Sequence, residues 1–128
     1  MKNTLILIFF VLFTIGCSNI STNKNIVTYE EKQSLNTLIE NIKTELKNGD
    51  IELLEETLVP SIRNSLVKSE IENIDFTSIN IITSKPIFNN TTAENVVAFI
   101  VGGNAIYFDV EYLLKNGEWK ILKFKERR

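Results

Sequence analysis

Few side chains in this 128-residue sequence have the types and spacing that chemistry needs. Cys17 is the single cysteine, and the chain contains no histidine. Histidine is the usual general base near neutral pH and the commonest metal ligand, so its absence removes the simplest routes to acid–base and metal chemistry. One other set stands out, because Tyr107, Asp109 and Glu111 occupy alternate positions and would share one face of a strand.

Two interpretations of this alternating set are open. In a catalytic interpretation, Asp109 acts as a general base and Tyr107 donates a hydrogen bond to a developing oxyanion. In a structural interpretation, this face meets water while the intervening face forms the core. Regular alternation is typical of a half-exposed antiparallel sheet. We therefore favour the structural interpretation and assign no catalytic residue.

Aromatic residues in the second half of the chain offer a candidate pocket. They could line a hydrophobic pocket or form an ordinary core, and their spacing does not decide between these. Trp119 beside an Asn–Gly turn is more typical of a residue that packs across a strand pair. The candidate pocket residues are Phe99, Phe108, Tyr112 and Trp119.

The basic run at residues 120–128 also has two interpretations. It could contact anionic lipid headgroups, or it could be a solvated edge that deters strand pairing. Metal-ligand spacing and phosphate-binding loops are missing from the sequence, so no cofactor and no metal are expected. With 14 basic and 16 acidic side chains the net charge is −2, which gives no reason to expect a nucleic-acid partner.

The first seventeen residues have the pattern of an export signal. Lys2 supplies a basic start, and residues 4–15 form an apolar run that is shorter than a bilayer-spanning helix requires. Gly16 is the small residue expected just before a cleavage site. The sequence predicts a signal peptide at residues 1–16, a tether at 17–27 and a single domain at 28–128.

The segment Thr14-Ile15-Gly16-Cys17 resembles the lipobox of bacterial lipoproteins. Gly16 and Cys17 match the pattern, whereas Thr14 replaces the usual leucine. The resemblance implies diacylglycerol transfer to the Cys17 sulfur, cleavage before Cys17 and palmitate-type acylation of the new amine. Membrane lipid would then be a partner through Cys17, and the protein would sit in the cell envelope, facing outside the cytoplasm. A plain secretory signal with a chance cysteine is the alternative.

Helical patterns occupy the first half of the domain. Thr28 and Glu31 form a capping-box pattern, and Asn48-Gly49 ends the helix that follows. Asp50 can cap a second, short helix. Pro60 ends this helix and can sit in the first turn of a third helix, whose apolar positions are Ile62, Leu66 and Val67.

Strand patterns occupy the second half of the domain. Residues 78–84, 96–101, 106–115 and 119–125 are predicted strands, and the run 96–101 is expected to be buried on both faces. Pro86 breaks or borders the first strand, and Asn116-Gly117 predicts a tight hairpin. The fold class is therefore α+β, with N-terminal helices packed on a curved antiparallel sheet of about four strands.

This order of elements is similar to the nuclear transport factor 2-like superfamily, and within it to small lipoproteins with a cystatin-like or DUF4878-like domain. The resemblance depends on the Asn48-Gly49-Asp50 turn and on the Gly-x-Trp-Lys-Ile motif that ends at Ile121. It implies a strongly curved sheet around a long helix, forming a cone with a possible pocket. Cystatin-like proteins proper, which begin with one helix, are the fold alternative.

The function predicted from the sequence is an envelope-anchored lipoprotein with a non-enzymatic binding or interaction domain. Its partner would be an unidentified protein or a small apolar ligand. Two alternatives remain open. One is a small extracytoplasmic enzyme that uses Asp109 in a cone-shaped pocket, and the other is a structural envelope protein.

Overall fold

The structure, a computed structural model, describes residues 26–128. The predicted signal peptide and the predicted lipidation site at Gly16 and Cys17 lie outside these residues. Three α-helices come first: α1 (Tyr29–Lys47), α2 (Glu52–Thr57) and α3 (Ile62–Ile71), followed by a 3₁₀ turn at Phe76–Ser78. Within residues 26–128, none of the helices has the length and apolarity needed to cross a membrane.

The long helix α1 begins and ends as the sequence predicts. The Thr28 hydroxyl accepts a hydrogen bond from the Glu31 backbone N–H, and the Glu31 carboxylate accepts one from the Thr28 N–H. This capping box satisfies two N–H groups that have no partner within the helix. Past the C-terminus Gly49 adopts φ 83°, a conformation that glycine enters without steric cost. The buried face of α1 consists of Leu35, Ile39, Ile42 and Leu46.

Five antiparallel strands follow the helices in an open sheet. They are β1 (Asn80–Thr83), β2 (Ile87–Asn89), β3 (Thr92–Val101), β4 (Asn104–Lys115) and β5 (Glu118–Glu126). The order is β1-β3-β4-β5, and β2 pairs with β3 further along the same edge. The predicted α+β class is confirmed, and β2 adds one short strand to the four expected.

The extra strand β2 continues the edge that β1 begins. Between the two, the Ser84 N–H donates to the Val96 carbonyl, and the Val96 N–H donates to the Ser84 hydroxyl. Pro86 lies in this connection and lacks an N–H to donate. The interruption therefore costs no ladder hydrogen bond at Pro86, and pairing resumes at Ile87.

The two faces of the sheet differ in burial. The inner face packs against α1 and carries Val97, Phe99, Val110, Tyr112 and Ile121, all buried. The outer face carries the alternate positions and is not covered by a helix of the described chain. The predicted burial of 96–101 on both faces is only partly correct. On the outer face Ala98 is buried, whereas Val96 and Ile100 are half-buried, and Val101, which follows Phe99 on the inner face at the end of β3, is exposed.

The molecule has two distinct ends along the strands, which we call the Asn116 end and the Gly103 end. At the Asn116 end, the β4–β5 turn lies beside the start of α1, since the Trp119 indole Nε1–H donates to the Glu31 carbonyl at 2.8 Å. At the Gly103 end, the β3–β4 turn lies near the end of β5, because the Arg127 N–H donates to the Tyr107 carbonyl at 2.8 Å. The first hydrogen bond joins separate parts of the fold, and the second continues the β4–β5 pairing one residue past Glu126.

Helix α3 packs differently from its sequence pattern. Ile62 is 87% exposed and Leu66 is 63% exposed, whereas Asn64 between them is buried. The Asn64 amide Nδ2 donates to the Val59 carbonyl at 2.6 Å, and the carbonyls of Ile121 and Leu122, at 3.3 and 3.4 Å, share its second N–H. The first turn of α3 is therefore joined to the outer edge of β5 by a polar side chain and not by its aliphatic residues.

Candidate functional site

The space between α1 and the sheet is the first place to look for a ligand site. The cavity there has a volume of about 30 Å³ and is bordered by Ile39, Leu46, Leu54, Val110 and Ile121, among others. An apolar cavity that admits benzene measures about 150 Å³, so this space is too small for a ligand of that size. Core side chains thus fill the interior that the cone-shaped pocket would occupy.

The predicted pocket residues lie within this packing. Phe99, Tyr112 and Trp119 are buried, and Phe108 packs against the same core while partly exposed. The Phe99 ring centroid lies 5.0 Å from that of Phe108 and 5.6 Å from that of Phe76. Tilted and edge-on contacts at these distances are the usual packing of aromatic rings in a protein core.

Tyr112 is held by a buried polar contact. Its hydroxyl donates to the Asn95 Oδ1 at 3.0 Å, and the Asn95 amide donates to the Ser84 carbonyl at 3.3 Å. Burial raises the pKa of the Tyr112 phenol well above its ordinary value. The phenol therefore stays protonated, and it ties the inner face of β4 to the β1–β2 edge.

Trp119 fastens the start of α1 to the β4–β5 hairpin. Besides its hydrogen bond to the Glu31 carbonyl, its ring meets that of Phe88 edge-on, with a centroid distance of 5.9 Å. The ammonium of Lys32 lies 5.4 Å from the centroid of the Phe88 ring. These contacts satisfy the indole N–H of Trp119 within the fold.

Asp109 and Tyr107 lie on the outer face, across the sheet from the interior cavity. Tyr107 is 49% exposed. The Asp109 carboxylate accepts two hydrogen bonds from the Arg127 guanidinium, at 2.5 and 3.3 Å. This hydrogen bonding and the charge of Arg127 lower the pKa of the Asp109 carboxyl below its usual value. A carboxylate with a lowered pKa is a weaker base, which is opposite to the tuning of a general base.

A charged groove crosses the outer face beside Asp109. Its volume is about 300 Å³, and Ile87 and Val96 form its apolar part. Glu111 and Lys123 form an ion pair across it at 3.8 Å. The predicted solvation of the face that carries Tyr107, Asp109 and Glu111 agrees with this exposure. The geometry does not support the catalytic alternative for Asp109 and Tyr107.

A second surface depression lies at the Gly103 end, and sequence reasoning alone does not locate it. It has a volume of about 690 Å³ and lies between the first turn of α3 and the end of β5. Arg63 reaches it from α3, although this residue is far from β5 along the chain. The sequence carries two signals: the basic run at residues 120–128, which forms one side of the depression, and the small number of arginines, three in the chain. All three border this depression: Arg63, Arg127 and Arg128.

Across residues 26–128, no group of three or more acidic, histidine or cysteine side chains is arranged to hold a metal ion. Compared with known protein families, the chain matches none, and it also matches no curated protein. The resemblance to the nuclear transport factor 2-like superfamily therefore stays a prediction from the order of elements and the two motifs.

Proposed function

We propose that this protein is an envelope-anchored lipoprotein whose folded domain binds a partner through its surface and does not convert a substrate. The observation that carries the proposal is the filled interior. The cavity between α1 and the sheet has a volume of about 30 Å³, whereas protein pockets that bind small molecules measure about 300–1,000 Å³. Binding is thereby directed to the outer face and to the clefts at its margin.

The state of Asp109 supports the same proposal against the enzymatic alternative. Its carboxylate is exposed, and both of its oxygens accept hydrogen bonds from Arg127. A general base needs a pKa near the working pH and a site that excludes water. Asp109 has a lowered pKa and an open position, so its role is better described as holding Arg127.

The anchor in the proposal comes from the N-terminal pattern and from where the domain begins. The mature chain would start at Cys17, and α1 begins at Tyr29 after the Thr28 cap. Residues 17–27 span at most about 36 Å when fully extended. A chain acylated at Cys17 would therefore keep its domain close to the membrane surface. More than one acyl chain is needed for stable attachment.

The anchor is tested with Cys17→Ser in cells that express the full-length protein. The variant loses the acceptor sulfur, so we expect loss of acyl labelling and release of the protein from the membrane fraction. Thr14→Leu is the matched control in the same motif. It installs the usual lipobox residue and should keep both properties. A Cys17→Ser protein that still fractionates with membranes would contradict the anchor.

The filled interior is tested with benzene, which a cavity of about 150 Å³ can hold. We expect saturating benzene to leave the melting temperature of the native protein unchanged. Leu54→Ala enlarges the same cavity, since Leu54 borders it and is 3% exposed. That variant should gain thermal stability on benzene addition. A benzene-dependent rise in the melting temperature of the native protein would show that the interior admits ligands. This result would contradict the proposal that the protein binds through its surface.

A further inference from the structure

The depression at the Gly103 end, hereafter the arginine cleft, gathers positive charge on an acidic protein. Four cationic side chains border it, against the two carboxylates of Asp109 and Glu126. The whole chain has a net charge of −2, so the charge of the cleft has the opposite sign to that of the protein. The cations are Arg63, Lys125, Arg127 and Arg128.

The choice of arginine at this place is informative. Lysines greatly outnumber arginines in the chain, yet all three arginines border this one cleft. The arginine guanidinium presents a planar fork of N–H donors that matches the two oxygens of a carboxylate or phosphate, whereas lysine presents a single ammonium. A solvated edge that only deters strand pairing has no need of this geometry.

The backbone around the cleft is held firmly on both sides. Arg63 precedes Asn64, whose buried amide joins the first turn of α3 to β5. Ser61 caps α3 by accepting from the Asn64 N–H at 3.0 Å. On the other side, the Arg127 N–H donates to Tyr107, and its guanidinium is fixed by Asp109. The first turn of α3 also carries the positive end of the helix dipole.

We propose that the arginine cleft binds a phosphate or carboxylate group through the guanidinium groups of Arg63, Arg127 and Arg128. Asp109 holds Arg127 in place and competes with the incoming anion. A free phosphate and the phosphate of an anionic lipid headgroup offer the same chemistry. This inference deepens the proposed function by giving the binding domain a ligand class. It rests on the binding role of the domain and not on the lipid anchor.

The three arginines provide a direct measurement. In the intact protein, kept in non-ionic detergent, nitrogen-15 labelling gives one Nε–Hε signal for each arginine, and each arginine borders the cleft. We expect inorganic phosphate to shift these signals with saturation. Acetate, a carboxylate of the same charge or less, should shift them in the same direction. Chloride at equal ionic strength corrects for screening.

Substitutions separate the cleft from general charge. Arg63→Gln or Arg128→Gln should each weaken phosphate binding about tenfold, as expected for one charge-assisted hydrogen bond. Lys68→Gln is the matched control, because it removes one positive charge from the same helix but lies outside the cleft. It should weaken binding less than about twofold. Arg63→Lys keeps the positive charge but loses the planar set of guanidinium donors. Its loss of phosphate affinity should therefore lie between about twofold and about tenfold.

Asp109→Asn gives a change in the opposite direction. It releases Arg127 from its carboxylate and removes a negative charge from the cleft. We expect phosphate to bind about threefold tighter, in line with the modest strength of an exposed ion pair. Weaker binding in this variant would contradict the competition between Asp109 and the anion.

A second titration identifies the source of the anion. It measures the same arginine signals in detergent micelles that contain phosphatidylglycerol. Arginine shifts with inorganic phosphate assign a soluble anion, and shifts only with the lipid assign a headgroup. Either result supports the cleft if Arg63→Gln weakens the binding about tenfold, as expected above. Shifts with neither probe, or equal weakening by Lys68→Gln and Arg63→Gln, would overturn the proposal. Membrane fractionation reports the anchor separately, so the two failures are distinguishable.

Discussion

Asn64 joins α3 to β5 by hydrogen bonds, whereas its exposed neighbours in α3 make no such contact. Its side chain is 1% exposed, and its amide donates to carbonyls of Val59 and of the β5 edge. Leu122 is the extra residue of a bulge in β5, because Ile121 pairs with Tyr112 while Lys123 pairs with Glu111. A bulge turns backbone groups away from the ladder, and here Asn64 meets the carbonyls on the outer edge.

Asn64→Ala should destabilise the protein by about 1–3 kcal/mol, because the part-buried carbonyls of Val59 and Leu122 lose the amide as a donor, while the Ile121 carbonyl keeps the Val59 N–H. Urea denaturation followed by far-ultraviolet circular dichroism measures this change. Asn73→Ala is the matched control. Its amide donates only to the Ser69 carbonyl in an exposed position, so its cost should stay below about 0.5 kcal/mol. Equal costs for the two variants would refute the role assigned to Asn64.

The chemistry of the same position can be checked with Asn64→Asp. A carboxylate cannot donate to carbonyls, and it would be buried without a cation, so its folded-state pKa should lie above the unfolded value. The extra cost relative to Asn64→Ala should therefore grow as pH rises through the unfolded pKa, and vanish at acid pH, where a protonated Asp can donate. A cost independent of pH would mean that packing, and not hydrogen bonding, holds this joint.

At the scale of elements, the sequence predicts those parts whose determinants are local. The capping box of Thr28 and Glu31 marks the start of α1, and Gly49 marks its end. In the β4–β5 turn, Asn116 and Gly117 adopt φ 53° and 77°, as a two-residue hairpin of this type requires. These signals lie within a few residues of the structure that they determine, so no tertiary information is needed to recognise them.

Elements that depend on distant contacts are not predictable in the same way. The apolar spacing of α3 suggests a buried face with Ile62 and Leu66, yet these are exposed, because Asn64 faces β5 carbonyls more than fifty residues away along the chain. The strand β2 is likewise defined by its pairing with residues 92–94 of β3, and not by its own three residues. Arg63 joins the arginine cleft for the same reason, since its place depends on how α3 docks.

At the scale of the whole molecule, the start of α1 and the proposed ligand site lie at opposite ends. The tether would enter beside Trp119 at the Asn116 end, where this residue contacts the first turn of α1. The arginine cleft lies at the Gly103 end, where Arg127 contacts Tyr107. Along β5, Trp119 and Arg127 are about 26 Å apart at ~3.3 Å per residue. Because the tether would enter at the Asn116 end, we expect an anchored domain to present this end to the membrane on average and the cleft to soluble anions.

This orientation predicts different membrane distances for two exposed positions. Lys115→Cys lies at the Asn116 end and Asn104→Cys at the Gly103 end, and both native side chains are exposed. In the acylated protein on vesicles, we expect spin-labelled lipids to quench a fluorophore attached at position 115 more than one attached at position 104. The soluble Cys17→Ser background should remove both signals. Stronger quenching at position 104 would place the cleft on the bilayer, and it would then make an anionic headgroup, not a free anion, the ligand of the three arginines.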